Sequence, residues 1–166
     1  MPHYFKLEGN ALEAVRGLKD NLYARAQKEL KLRKEGLVDR DLRPEDIGLS
    51  NPVWTFNVSS SSAWNTLVNA ATIADNRFVG IYGVLIGVSG TAAVTQLRIT
   101  RAGQKKRYWQ IQDGNFREDA TIYFDDPIIV DQNTTITIEG YATATDSTFR
   151  LTFLGMAVEK KGVLIQ

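Results

Sequence analysis

Two opposed charge tracts hold the side chains best suited to chemistry in this chain. From residue 77 to residue 107 every charged side chain is basic, and Arg98, Arg101, Lys105, Lys106 and Arg107 crowd against Tyr108 and Trp109. Cations of this kind contact phosphates and aromatic rings stack on bases, so nucleic acid is one reading. From residue 113 to residue 146 the balance inverts: Arg117 is the single base among acids that include Asp125, Asp126 and Asp131. Those carboxylates could ligate calcium if their loops converge, or serve as the acid and base of a sugar-cleaving site. Neither signal is specific. The spacing lacks the alternation of an EF-hand loop, Pro127 holds the chain extended, and any chain with 19 acids contains such pairs. No recognised nucleic-acid motif accompanies the basic tract, and the formal net charge is only +1. Two complementary tracts in one chain suit contact between proteins better than turnover of a substrate, so no enzyme is expected.

Composition narrows the chemistry further. There is no cysteine, which removes disulfides, thiolate nucleophiles and thiolate metal sites, and His3 is the only histidine. No metal and no cofactor are therefore expected. The aromatic residues Trp54, Trp64, Trp109, Tyr82, Tyr108, Tyr123 and Tyr141 could include a flat carbohydrate platform, although tryptophans in a chain of 166 residues more often serve the core or subunit contacts. The opening MPHYFKLEGN is too polar for a signal peptide, and the apolar run 78–88, broken by Gly80, Gly83 and Gly87, is too short to span a bilayer.

These side chains need elements to carry them. Residues 10–34 read as one amphipathic helix, because Leu12, Val15, Leu18, Leu22, Ala26 and Leu30 recur at three- and four-residue steps. Asn10 with Glu13 has capping-box spacing, and Gly36 follows the last periodic residue. An apolar stripe centred on Leu18, Leu22 and Leu30 must be covered, either by the body of its own chain or by another subunit. Residues 37–50 read as a polar strap, with Pro44 opening a short helical turn and Gly48 ending it. The chain thus divides into an arm and connector, 1–50, and a β-domain, 51–166.

Past Pro52 the period changes from 3.6 to 2. Strands are expected at 53–58, 78–88, 93–100, 106–112, 120–124, 134–144, 149–158 and 162–165, separated by Gly-, Asn- and Asp-containing turns. The strands 134–144 and 149–158 are expected to form a hairpin across a tight Asp-Ser turn. The fold class is mainly β: a single antiparallel β-sandwich preceded by an N-terminal amphipathic α-helix. Eight strands without a Cys…Trp…Cys signature favour a jelly roll over an immunoglobulin-type sandwich.

The sequence of a helical arm (10–34), a connector (37–50) and a Thr/Ala/Gly-rich sandwich ending in DDPIIVDQNTTITIEGYATATDSTFRLTFLGMAVEKKG resembles the decoration or cement proteins of tailed-bacteriophage particles. The resemblance lies in organisation and includes no diagnostic motif. It implies a non-catalytic virion protein, made in the host cytoplasm, that forms a homotrimer and braces a major capsid or other particle protein. Neither membrane nor nucleic acid is an expected partner. A helix longer than a minimal decoration protein's arm leaves room for a head-fibre, tail or baseplate component or a non-viral oligomer, and the aromatic residues leave a carbohydrate-binding sandwich as the competing alternative.

Overall fold

The computed structural model describes residues 8–87, 94–102, 104, 107–112 and 120–163. Helix α1, Gly9–Leu30, is followed by strand β1, Leu37–Asp41. Then come β2 (Thr55–Val58), β3 (Ala63–Thr72), β4 (Arg77–Ile86), β5 (Val94–Arg101) and β6 (Arg107–Gln110). The order closes with β7 (Thr121–Val130), β8 (Thr135–Ala142) and β9 (Asp146–Lys160). All pairing is antiparallel, in two sheets. Sheet I runs β1-β9-β4-β7, with β2 also paired to β9, and sheet II runs β3-β8-β5-β6.

The two sheets enclose one apolar core. Val79, Ile81, Val84, Phe149, Leu151 and Phe153 from sheet I meet Leu67, Val94, Leu97, Ile99, Ile136 and Ile138 from sheet II. This is what period-2 alternation in an antiparallel sheet produces when one face is buried. Sheet I differs, because both of its faces are covered. Phe78 and Val158 point away from the core and pack under Leu18, Leu22, Tyr23 and Ala26 of α1. The molecule is therefore a helix laid on a sheet laid on a second sheet.

Several elements depart from the sequence reading for identifiable reasons. The helix starts at Gly9, with Glu8 at its N-cap and no side-chain cap, so Asn10 lies inside the first turn. It ends at Leu30, short of the expected end at 34, because Lys31 at its C-cap takes the left-handed conformation at φ 53°. The strap holds a strand: β1 pairs with β9 from Leu37↔Lys160 to Asp41↔Met156. The helical turn Pro44–Ile47, closed by Gly48 at φ 80°, is present as expected. The predicted 134–144/149–158 hairpin does not form, since β8 pairs with β3 and β5 while β9 pairs with β1, β2 and β4. The chain crosses from one sheet to the other between them. Strand β3 was not expected, and residues 161–163 form a turn rather than a strand, with 164 and 165 outside the described residues.

A boundary at residue 50 would cut through a buried ionic cluster. Arg40 of β1 bonds Asp46 of the helical turn at 2.6 and 2.7 Å and Glu159 of β9 at 3.0 Å. Arg77 of β4 closes the ring to Asp46 at 3.1 Å and Glu159 at 3.0 Å. Asp46 and Glu159 are 5% and 2% exposed, so two cations and two anions neutralise each other away from water. Removing any one leaves an uncompensated buried charge.

Candidate interaction surfaces on sheet II and along the β6–β7 seam

The basic and acidic tracts meet within the one chain. The β5–β6 hairpin sets Arg98 opposite Tyr108 and Ile99 opposite Arg107, as alternation around the buried Leu97 and Ile99 requires. Arg107 then reaches across the open side of the sandwich to β7, bonding the Asp126 carboxylate at 2.5 Å and its backbone carbonyl at 3.2 Å. Arg98 pairs with Glu139 of the neighbouring β8, its Nε 2.7 Å from Oε2. Asp131 takes Arg25 of α1 at 3.0 Å. Much of the charge expected to face a second subunit is satisfied within one chain. The sequence pattern showed complementarity without showing that folding would consume it.

The remaining sequence candidates fall in distinct places. Leu18 and Leu22 are buried beneath α1, and Leu30 packs at the edge of the same cluster. The stripe is thus covered by the chain's own sheet. Lys105 and Lys106 lie outside the described residues. Arg101, at the end of β5, donates to the carbonyl of Ile129 on β7 and to the Gln104 side chain at 3.1 Å. Trp109 points inward and stacks on Phe124 with centroids 4.7 Å apart, which seals the core where the sheets separate. Asp125 is exposed beside this seam. Asp126 on β7 and Asp131 just past its end engage different arginines, so these two carboxylates do not share one site. Among the described residues, no group of three or more His, Cys, Asp or Glu is placed to hold a metal ion.

The outer face of sheet II carries an aromatic cluster that no single stretch of sequence reveals. Register places Trp64 of β3 beside Tyr141 of β8, and Glu139 beside Arg98 and then Tyr108. The Arg98 guanidinium lies over the Trp64 ring, 4.2 Å from its centroid. Tyr108 and Tyr141 meet the same indole edge-on, at 6.0 and 5.6 Å with interplanar angles of 71° and 68°. Hydrogen bonding to Glu139 raises the Arg98 pKa against the opposing effect of desolvation, so its charge is fixed. Tyr108 remains 59% exposed. The aromatic residues are visible in the sequence, but their meeting depends on three strand registers.

A groove of about 390 Å³ lies between the first turns of α1 and sheet I, floored by Tyr82 and Tyr123 and edged by Asp125. The two rings stack nearly parallel, 6.4 Å apart at 11°. Burial raises the Tyr82 pKa, helped by the charge of Asp41, so this phenol stays a neutral hydrogen-bond donor. At the other end of the seam, Arg25, Arg101 and Arg107 line a separate cleft of about 240 Å³. No protein-family model matches this chain, and no curated protein or solved structure shows significant similarity to it.

Proposed function

We propose that this chain is a non-catalytic structural protein of a bacteriophage particle, a jelly-roll-like sandwich that binds and stabilises a capsid or related assembly as a homo-oligomer. The support that carries most weight is the Trp64–Arg98–Tyr108–Tyr141 cluster on the outer face of sheet II. Tryptophan, tyrosine and arginine dominate the energetics of protein interfaces, above all when held rigid before binding. Here Arg98 is fixed by Glu139 and by the indole, so little side-chain freedom remains to be lost on docking. The same geometry disfavours this face as a sugar platform, because one indole face is covered by Arg98 and both tyrosines meet it edge-on.

The test is sedimentation of the tagged chain with particles from its own source, beside light scattering of the free chain. The proposal expects co-sedimentation and a trimer mass, with Tyr108→Ala and Trp64→Ala losing attachment while keeping the native circular dichroism. A monomer that stays in the supernatant would overturn it.

A second reading, a carbohydrate-binding or head-fibre adhesion component, is favoured by the near-parallel Tyr82–Tyr123 pair beside Asp125. Parallel rings beside a carboxylate suit a sugar's apolar face and hydroxyls. Selective glycan-array binding abolished by Tyr123→Ala and kept by Trp64→Ala would select this reading.

A further inference from the structure

We propose that the cleft between α1 and the β5–β6–β7 seam binds a small tetrahedral oxyanion of the phosphate class, free or as a monoester. Three arginines line it from three elements: Arg25 from α1, Arg101 from the end of β5 and Arg107 from the start of β6. Gathering like charges is unfavourable unless something negative offsets it. The compensation present is partial. Arg25 shares Asp131, and Arg107 shares Asp126, whose side chains are 30% and 74% exposed. The Arg107–Asp126 pair is open to water, so an incoming anion can displace the Asp126 carboxylate, which itself lines the cleft, at little cost. The Arg25–Asp131 pair is part-buried and stays in place.

Arg101 is the centre of the argument. Among the described residues it meets only neutral acceptors, the Ile129 carbonyl and the Gln104 amide oxygen. Those two acceptors hold a full positive charge in place without neutralising it, which is the preorganisation an anion site needs. Arg25 is similarly steadied by the Asn21 side chain, which accepts from its Nε at 2.9 Å. Ile128 and Pro127 supply an apolar wall that lowers the local dielectric and strengthens attraction to the ligand. A planar fork of N–H donors matches the oxygens of a phosphate or sulfate. The volume of about 240 Å³ fits one such group with a short substituent rather than a polymer.

The experiment is calorimetric titration of the full chain at fixed ionic strength with inorganic phosphate, sulfate and O-phosphoserine, using chloride as control. Saturable binding of any of the three, absent with chloride, is expected, and tighter binding of phosphoserine than of phosphate would identify an ester as the ligand. Arg101→Gln should weaken binding by roughly tenfold or more, the loss of a charge-assisted pair of hydrogen bonds. Asp126→Asn should tighten it several-fold by releasing Arg107, a gain that a merely destabilised fold does not give. Heat indistinguishable from chloride, or weakening by Asp126→Asn, would overturn the proposal.

Discussion

Leu18 of α1 seats its side chain on the backbone of Gly80 in β4, so closely that a Cβ at that glycine would lie 2.8 Å from Leu18 Cδ1. The helix approaches sheet I through this hollow. Gly80→Ala should therefore destabilise the protein by about 1–3 kcal/mol, the usual penalty of overpacking. Urea denaturation of Gly80→Ala, Leu18→Ala and the double variant should show strong non-additivity, because trimming Leu18 removes the clash. Gly17, one residue earlier on the exposed side, has nothing near its missing Cβ, so Gly17→Ala should stabilise α1 by about 1 kcal/mol.

Two carboxylates with similar partners should behave very differently. Glu159 is 2% exposed between Arg40 and Arg77, and Glu159→Gln should cost about 3–5 kcal/mol by leaving buried cations uncompensated. Asp126 also binds an arginine but is largely in water, so Asp126→Asn should cost about 0–1 kcal/mol. Chemical denaturation of the two single variants checks both. Equal effects would mean that the buried ring is not carrying its charges as drawn.

Acid sensitivity follows from Asp46. Burial pushes its pKa up, but hydrogen bonds from Arg40 and from the Arg43 amide, with the charges of Arg40 and Arg77, bring it below the ordinary 3.8. A carboxylate depressed in the folded state adds stability that is fully present above the unfolded pKa and is lost as pH falls through the folded one. Stability should thus hold down to about pH 5, then decline from about pH 4 downward. Asp46→Asn should flatten that decline while lowering stability at pH 7. Denaturant midpoints measured from pH 7 to pH 2.5 give the comparison.

The alkaline limb belongs to Tyr23. Burial raises its phenol to about 12, and the hydrogen bond to Asp39 at 2.6 Å adds to the effect. A raised folded pKa gives stability that is complete below the unfolded value of 10.0 and is lost as pH climbs toward 12. Absorbance titration of phenolate should show Tyr23 and Tyr82 ionising late, and Tyr23→Phe should remove one of the two. The denaturant midpoint of the same variant should change less between pH 10 and pH 12 than the parent's does.

A chain that begins at residue 51 tests whether the β-domain folds alone. It would lack β1, Arg40 and Asp46, leaving Glu159 with Arg77 only and exposing Phe78 and Val158. The expected outcome is loss of the cooperative thermal transition. A sharp melt with native β-type circular dichroism would show that the arm is separable.

The legible parts of the fold were those where one face is apolar and the other is not. Leu18, Leu22 and Ala26 are buried as their spacing implies, and Phe149, Leu151 and Phe153 share an inner face. Strand β1 escaped notice because LVDRD buries only Leu37 and turns Arg40 toward a charge cluster that sequence cannot assemble. Strand β3 was hidden by irregularity: its pairing slips twice, between Thr66 and Val68 and between Val68 and Ala71, with Ala70 at φ 44°. Strand β7 runs on past Phe124 because Pro127 sits on an edge strand within a bulge, where no ladder bond is lost. The sheet II cluster was out of reach for a different reason. Each of its members lies on a different strand, and only the registers bring them together.

Strand β9 is the hub of sheet I, flanked by β1 and β2 on one side and β4 on the other, yet it follows them all in the chain. Every one of those pairings spans a long stretch of sequence, so relative contact order is high and refolding is expected to be slow for a domain of this size. During synthesis, β1, β2 and one edge of β4 have no partner until residues 146–160 leave the ribosome. The nascent chain therefore carries unpaired strand edges until β9 emerges, the condition under which strands of neighbouring chains pair wrongly.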